Sequence, residues 1–260
     1  EVNKIRNASE IKFKGNKTSL FLHDNITSIG IAAFGTYSNY VWGNPVKFDN
    51  PIFLPKSLKE IGEEAFIARS ILSIPEHIER IGPSAFRYAN IKEISLKSEF
   101  LAVLDELAFQ SSEIEKITFS DNVLSVERQC FKDCSMLQYA YLGKNIERIG
   151  EQAFEGCGIL HTLICLAPYP PRLDENAFNG VYFDKCILQV PEASVSLYQN
   201  TEGWNQFKNI TAYREFAFDI PEIKCLDKGY QREGILRTEG AWRVVECPDW
   251  VKVSPLSGSD

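Results

Sequence analysis

The chain has 260 residues, enough for one large domain or two small ones, and its 44% hydrophobic and 24% charged residues are typical of a globular protein. A formal net charge of -7 disfavours nucleic acid as a partner, because phosphate binding needs a basic face. No run of apolar residues is long enough for a membrane-spanning helix, so no such segment is predicted.

Eight short β-type runs recur along the chain from its N-terminal part onward, and each of the first seven is followed by a corner of similar sequence. The runs are SLFL, PIFLP, ILSIP, KEISL, EKITF, QYAYL, HTLIC and ILQVP. The corners contain a recurring phenylalanine, at Phe34, Phe66, Phe86, Phe109, Phe131, Phe154 and Phe178. The successive spacings are 32, 20, 23, 22, 23 and 24 residues, which predicts a solenoid of stacked coils. The runs are then expected to form a parallel sheet along one face.

Three further corner positions are nearly constant. Five residues before the phenylalanine the chain carries Ile29, Ile61, Ile81, Leu104, Val126, Ile149 and Leu173. Directly before it stand Ala33, Ala65, Ala85, Ala108, Cys130, Ala153 and Ala177, which predicts tight packing at that point. Four residues before it are Gly30, Gly62, Gly82, Asp105, Glu127, Gly150 and Asp174. Glycine alternating with acidic residues predicts either a turn with positive φ or the cap of a short helical turn.

The long interval between Phe34 and Phe66 contains an insertion, GTYSNYVWGNPVKFDNP. A solenoid accommodates extra residues as a loop that projects from a coil, often beside its binding face. Tyr37, Tyr40 and Trp42 lie among Ser, Asn and Gly, a composition similar to that of adaptable binding loops. The loop is therefore a candidate binding segment, and the alternative is that it folds back over the open N-terminal end of the core.

Alternation along the β-type runs predicts which side chains face solvent. If Ala140 and Leu142 point inward, Tyr139 and Tyr141 point outward onto the sheet face. The same alternation places these residues in the exposed row: Phe21, Phe53, Thr118, Ile164 and Gln189. Large aromatic side chains on a solvated sheet are typical anchors of interfaces, so Phe53, Tyr139 and Tyr141 are candidate binding residues. The alternative is that a neighbouring loop or helix covers them.

No catalytic or metal-binding pattern emerges from the sequence. The three histidines, His23, His77 and His161, fall in different coils and have no HExxH spacing, and the seven cysteines form no CxxC pair. The sequence also contains no GxSxG, P-loop or GxGxxG motif. We therefore predict a protein that is not an enzyme and has no cofactor and no metal site. The cysteines are interpreted as buried, and their odd number leaves at least one unpaired in a monomer.

The segments IPEHIERIGPSAF and GKNIERIGEQAFEGCGIL resemble the BspA-like class of bacterial leucine-rich repeats, with its pattern IP..V..IG..AF..C..L. The resemblance extends over about residues 17 to 213. It implies an α/β leucine-rich-repeat solenoid, horseshoe-like, with a stacked parallel β-sheet and short helical turns. Residues 1–213 would form this domain, including a C-terminal cap over the last coil. The predicted cap side chains are Leu197, Tyr198, Trp204 and Phe207.

The period stops near Phe216, and residues 214–260 are predicted to form a separate small β segment. Alternating apolar residues around Trp242 and Trp250 indicate antiparallel strands. The stretch AWRVVECPDWVKVSPLSG is similar to BACON modules, which are Ig-like domains of Bacteroidetes surface proteins. The similarity implies a partial module of this type.

These resemblances imply a secreted or cell-surface recognition or adhesion protein that binds a host or microbial protein. The alternative is a carbohydrate-binding protein for mucin or polysaccharide glycans, and a rigid spacer is a third option. Aromatic residues spread along the face would favour a protein partner, whereas a cluster beside polar side chains would favour a glycan. The expected location is extracellular or on the outer cell surface, with lipid anchoring through a removed leader as one route, since the chain begins with Glu1. The sequence leaves the oligomeric state open.

Overall fold

The computed structural model describes residues 4–5, 20–34, 52–67, 69–71 and 73–214, and four two-residue strands beyond them. The chain divides into two compact units, Glu1–Tyr213 and Arg214–Asp260. The first unit contains the repeats and the second contains the C-terminal strands.

The largest sheet of the first unit is built from the β-type runs of successive coils. We call it the wide sheet. It has six strands, all parallel, in the order β16-β15-β13-β11-β9-β7. The strands are β7 (Glu93–Leu96), β9 (Lys116–Phe119), β11 (Tyr139–Leu142), β13 (Thr162–Cys165), β15 (Ile187–Val190) and β16 (Asn209–Ala212). Upstream, β2 (Leu20–Phe21) and β4 (Ile52–Phe53) form a parallel pair. Isolated parallel bridges then join Ile52 to Ile71 and Ser70 to Asn90 in the next coils.

Two-residue strands at the corners form a second set of parallel ladders that the sequence pattern did not predict. The first ladder contains β1 (Lys4–Ile5), β3 (Ser28–Ile29), β5 (Glu60–Ile61) and β6 (Arg80–Ile81). The second contains β8 (Val103–Leu104), β10 (Ser125–Val126), β12 (Arg148–Ile149) and β14 (Arg172–Leu173). The solenoid core lies between these corner ladders and the strands of the opposite face.

The predicted corner residues form the core. All seven phenylalanines are buried, and successive rings stack with centroids 5.2–5.4 Å apart and planes within 9°. The residue before each phenylalanine is buried in all seven copies, including Cys130. The position five residues before is buried in six copies and only partly buried at Leu173, in the last coil. The leucine-rich-repeat solenoid predicted from the repeat is confirmed.

The corner backbone differs from the prediction for glycine. Positive φ occurs two residues later than the glycine position, at Ala32, Glu64, Ser84, Leu107, Gln129, Gln152 and Asn176. It recurs two residues after the phenylalanine, at Tyr88, Ser111, Asp133, Gly156 and Gly180. These left-handed residues turn the chain sharply, so the corners are i→i+3 hydrogen-bonded turns, such as Ala65 N–H to the carbonyl of Gly62 at 3.4 Å. Within the described residues, helical segments are found in the cap.

The cap consists of the 3₁₀ turns Glu192–Ser194 and Trp204–Gln206 and the helix α1 (Val195–Asn200). Tyr198, Trp204 and Phe207 are buried, and the rings of Trp204 and Phe207 meet Phe178 edge-on, with centroids 5.7 and 5.5 Å away. Trp204 Nε1 also donates a hydrogen bond to the carbonyl of Pro171 at 2.8 Å. The prediction for Leu197 is wrong, because its side chain is 41% exposed on the outer side of α1.

In the second unit the structure describes two strand pairs. β17 (Ala217–Phe218) pairs with β18 (Leu236–Arg237), and β19 (Trp242–Arg243) pairs with β20 (Ser257–Gly258). Both pairs are antiparallel, as the alternating pattern predicts. The similarity to BACON modules stays a prediction.

Candidate functional site: the tyrosine cluster on the wide sheet

Alternate residues of each strand point to opposite faces of the wide sheet. Each strand has four residues, so two of them face outward, and the stacked strands present two rows of side chains on the outer face. In β11 the side chains of Ala140 and Leu142 are fully buried, whereas those of Tyr139 and Tyr141 lie on the outer face and are partly exposed. The strand register aligns Tyr139 with Lys116 and Thr162, and Tyr141 with Thr118 and Ile164. The outward orientation predicted for the two tyrosines agrees with this arrangement.

A third tyrosine completes an aromatic cluster on this face. Tyr213 follows β16, and its backbone N–H donates to the carbonyl of Val190 at 2.7 Å. Its ring meets the ring of Tyr141 edge-on, with centroids 6.2 Å apart and planes at 76°. Lys116 Nζ lies 5.4 Å from the centroid of the Tyr139 ring, a cation–π contact. We call Tyr139, Tyr141 and Tyr213 the tyrosine cluster.

The pKa of the Tyr139 phenol is raised, first by burial and then by the neighbouring phenols of Tyr213 and Tyr141. The Tyr139 phenol therefore stays protonated at neutral pH and can both donate and accept hydrogen bonds. Each ring of the cluster also offers an apolar face. The combination suits recognition of a partner that has apolar surface and polar groups side by side.

The predicted outer row is correct at Thr118 and Gln189, which are partly exposed, and wrong at Ile164, which is only 4% exposed. The physical reason is the contact between Tyr141 and Tyr213, which approach each other over the strands between β11 and β16. The side chain of Ile164, next to Tyr141 in the register, is thus shielded from solvent.

Tyr213 was missed by the sequence analysis. The relevant signal is the alternation in NITA, residues 209–212, which forms the last rung of the wide sheet and places Tyr213 at its end. This rung follows the cap and has no corner of the repeat type, so the period does not identify it.

A second aromatic feature lies nearer the N-terminus. Phe21 is 70% exposed, and its ring stacks on that of Phe53 with centroids 4.3 Å apart and planes at 11°. A shallow groove in the following coils is lined by polar and charged side chains, among them Lys56, Glu76, His77, Glu93 and Lys97. The remaining predicted aromatic residues, Tyr37, Tyr40 and Trp42, lie outside the described residues.

The described cysteines are buried free thiols: Cys130, Cys134, Cys157, Cys165 and Cys186. Burial raises the pKa of each of these thiols, to about 11 for Cys134 and Cys165 and about 12 for Cys186. A buried, protonated thiol is a poor nucleophile, so these groups pack and do not react. Cys225 and Cys247 are not among the described residues.

Two further observations apply to the described part of the chain. No group of three or more His, Cys, Asp or Glu side chains there is arranged to hold a metal ion. No helix in that part has the length and apolar character needed to cross a membrane.

Comparison with known proteins identifies the repeat. Residues 59–184 match the family model of the BspA type leucine rich repeat region in six copies. No curated protein matches the chain.

Three solved structures of bacterial proteins are similar to the chain. A leucine-rich repeat protein from Eubacterium ventriosum has 17% identity and a TM-score of 0.48, and the match covers 64% of this chain and 43% of that one. A leucine rich cell surface protein from Faecalibacterium prausnitzii has 18% identity and a TM-score of 0.36, with 76% and 60% covered. A leucine-rich repeat protein from Bacteroides ovatus has 18% identity and a TM-score of 0.41, with 81% and 64% covered.

The present chain thus spans less than two thirds of the length of each of these proteins. Its own stacked coils form a leucine-rich-repeat solenoid, and residues 59–184 of this solenoid are similar to the BspA type of repeat.

Proposed function

We propose that this chain is a non-enzymatic recognition protein that binds another protein through the outer face of the wide sheet, centred on the tyrosine cluster. The observation that carries the proposal is the convergence of Tyr139, Tyr141 and Tyr213 on one solvated sheet face, with Lys116 beside them. Tyrosine supplies a large rigid contact surface with a polar tip and is enriched among residues that dominate binding energy.

The distribution of aromatic side chains favours a protein partner. The stack of Phe21 on Phe53 joins β2 and β4, whereas the tyrosine cluster lies several coils further along the solenoid. A partner that contacted both would span a distance of about 20 Å, at about 4.8 Å per coil. Protein partners bury surfaces of this extent, about 800 Å² on each side.

The loop residues Tyr37, Tyr40 and Trp42 are proposed to extend this interface. Their composition of Tyr, Trp, Ser, Asn and Gly supports adaptable contacts at low cost in conformational entropy. The proposed partner is a host or microbial surface protein, and the proposed location is the outer cell surface or the extracellular space. The similarity of the repeats to the BspA type supports this location.

Carbohydrate is the second candidate ligand, and the Phe21–Phe53 stack is the observation that favours it. The exposed Phe21 ring lies near the start of a face whose next coils carry the polar groove with Glu76, His77 and Glu93. Aromatic rings beside hydrogen-bonding side chains are suited to stacking and orienting sugar rings.

The experiment that tests the proposal is a binding screen of the purified chain on immobilised extracellular-matrix and mucin proteins, each intact and enzymatically deglycosylated. The test variant is Tyr139→Ser/Tyr141→Ser. The matched control is Tyr169→Ser/Tyr182→Ser, which removes two tyrosines that are 76% and 57% exposed and lie outside the wide sheet. A third variant, Trp42→Ser, tests the loop.

We expect binding that survives deglycosylation and falls at least about tenfold in the test variant, about 1.4 kcal/mol, but not in the control. Binding that is lost on deglycosylation and depends on Phe21 would instead establish the glycan candidate. Equal binding by the test and control variants would refute the tyrosine cluster as the site.

A further inference from the structure

In the coils of Phe86, Phe109, Phe131 and Phe154, the corner backbone donates hydrogen bonds to the next coil in a fixed pattern. The donors are the N–H groups two residues before the phenylalanine, at the phenylalanine, and two residues after it. In the coil of Phe154 these groups donate from Gln152 to Glu175 at 3.1 Å, from Phe154 to Ala177 at 2.8 Å, and from Gly156 to Asn179 at 2.8 Å. The coil of Phe131 shows the same set, from Gln129, Phe131 and Asp133.

In the last coil the equivalent donors are the N–H groups of Asn176, Phe178 and Gly180. None of them has a hydrogen-bond acceptor in the described part of the chain. The reason is that the wide sheet continues through β15 and β16, whereas the corner side ends at β14 and is followed by the cap. The cap covers the ring of Phe178 but supplies no carbonyl to the backbone at its corner.

Two of these donor residues lie in a groove between the last corner and the cap, and Gly180 follows Asn179, which also lines it. Asn176 and Phe178 line one side of the groove, and Thr201, Glu202 and Gln206 line the other. A row of unpaired backbone donors beside a groove is a template for another main chain, in the way that the edge of a sheet is.

The charge of the groove indicates which ligands it favours. Its carboxylates are Asp174, Glu175 and Glu202, and its one cationic side chain is Arg172. This excess of negative charge disfavours phosphate or a free carboxylate on the N–H groups and favours neutral peptide carbonyls with a cationic side chain nearby.

The preceding coils show how such a cationic side chain would be placed. Arg148, six residues before Phe154, reaches back to the carboxylate of Glu127 in the previous coil at 2.6 Å. Asp174 occupies the position of Glu127 in the last coil, where its Oδ2 accepts hydrogen bonds from Nε and Nη2 of Arg148 and its Oδ1 lies 3.1 Å from Arg172 Nε. Asp174 is thus already paired by two arginines, whereas Glu175 and Glu202 have no ion pair within the described residues and are the groove carboxylates left to attract a cationic side chain.

We propose that this groove binds the main chain of a separate basic polypeptide, which continues the corner ladder by accepting hydrogen bonds from Asn176, Phe178 and Gly180. This interaction is independent of the tyrosine cluster and lies on a different side of the solenoid. The segment accepts these bonds at alternate residues, as the neighbouring corner does for the coils of Phe86, Phe109, Phe131 and Phe154.

The test is amide hydrogen exchange by NMR on the full chain, with and without a synthetic peptide of residues 78–90, IERIGPSAFRYAN. In this peptide Arg80 occupies the repeat position of Arg148. The internal reference is the set of hydrogen-bonded amides of Gln152, Phe154 and Gly156. A second peptide carries Arg80→Glu and Arg87→Glu.

In the free protein we expect fast exchange at residues 176, 178 and 180 and slow exchange at the reference amides. Saturating basic peptide should slow exchange of the three amides at least about tenfold, and the acidic peptide should not. The protein variant Glu202→Lys should weaken peptide binding, whereas Glu192→Lys, an exposed cap residue outside the groove with the same charge change, should not.

Three outcomes would overturn the proposal. The first is slow exchange of the three amides in the free protein at every concentration, which would show that they are already covered. The second is protection that increases with protein concentration alone, which would make the occupant a second copy of the chain. The third is the absence of protection at millimolar basic peptide, or equal protection by both peptides.

Discussion

At the scale of single residues, glycine recurs four residues before the corner phenylalanine because the neighbouring coil approaches closely there. A Cβ built at Gly150 would lie 2.8 Å from the backbone carbon of Glu127, and one at Gly62 would lie 2.6 Å from that of Gly30. Neither glycine has a positive φ. Space between coils, and not backbone conformation, therefore favours glycine at this position, and the coils with Asp105, Glu127 or Asp174 tolerate a side chain there.

The substitution Gly150→Ala is expected to destabilise the solenoid by about 1–3 kcal/mol, because backbone atoms of Val126, Glu127 and Arg128 in the preceding coil must shift to admit the methyl group. Urea denaturation followed by circular dichroism measures the change. The matched control is Gly158→Ala, whose Cβ would lie 3.6 Å from the carbonyl oxygen of Gly180, an ordinary contact. Equal effects of the two substitutions would contradict the close-approach explanation.

At the scale of elements, the residues three positions after Phe109, Phe131 and Phe154 form a short buried polar column of Ser112, Cys134 and Cys157. Cys134 Sγ donates to the carbonyl of Phe109 at 3.2 Å, and Cys157 Sγ donates to that of Phe131 at the same distance. Ser112 Oγ lies 3.4 Å from Cys134 Sγ in this column. The two thiols thus supply weak donors to carbonyls of the preceding coil, whereas the coils of Phe86 and Phe178 place the apolar residues Ala89 and Val181 at this position.

Because these thiols are buried, the free energy of unfolding is expected to change with pH in the alkaline range. The pKa of Cys134 is raised from 9.0 to about 11 in the folded state by burial. Between these values the unfolded chain loses the thiol proton and the folded chain keeps it, so the free energy of unfolding falls as pH rises from about 9 through 11. Each such thiol contributes at most about 1.4 kcal/mol per pH unit to the decline.

The variant Cys134→Ser removes one titrating thiol, so the free energy of unfolding should decline less steeply as pH rises. Urea denaturation at several pH values between 8 and 11 measures this slope. Ser194→Ala removes a buried hydroxyl that bonds to the carbonyl of Pro168 and not to a thiol, so it should leave the slope unchanged. An identical slope for wild type and Cys134→Ser would rule out this thiol as a source of the pH dependence.

At the scale of the whole solenoid, the stability of each coil depends on the coils beside it, since each coil contacts chiefly its neighbours. The cap is consequently the element on which the last coils depend. Trp204 and Tyr198 are fully buried, and Trp204 joins Phe178 to the carbonyl of Pro171. Loss of the cap would expose the end of the phenylalanine stack.

Trp204→Ala is expected to cost about 3–5 kcal/mol. Hydrogen exchange should show the loss mainly in the last coils, so that the amide of Phe154 loses more protection than the amide of Phe86, which is bonded to Ala108 at 2.7 Å. Leu197→Ala, in the same cap but 41% exposed, is the control and should have little effect. A uniform loss of protection along the solenoid would indicate one cooperative unit instead.

The sequence by itself determined which residues of each coil form the core. The phenylalanine and the small residue before it are buried in all seven copies, and the aliphatic residue five positions earlier is buried in six, because each makes the same contact with the neighbouring coil. The same holds for the outward direction of Tyr139 and Tyr141, which follows from strand alternation within four residues. These features are local and repeated, so their periodicity is visible along the chain.

Only the tertiary structure decided the features that depend on how distant segments dock. Tyr213 meets Tyr141 across the strands of the wide sheet and shields Ile164, and Leu197 faces outward from the cap. The unpaired N–H groups of the last corner likewise result from the point at which the corner ladder stops and the cap begins. These contacts occur once and join residues far apart in the chain, so no repeated pattern in the sequence reports them.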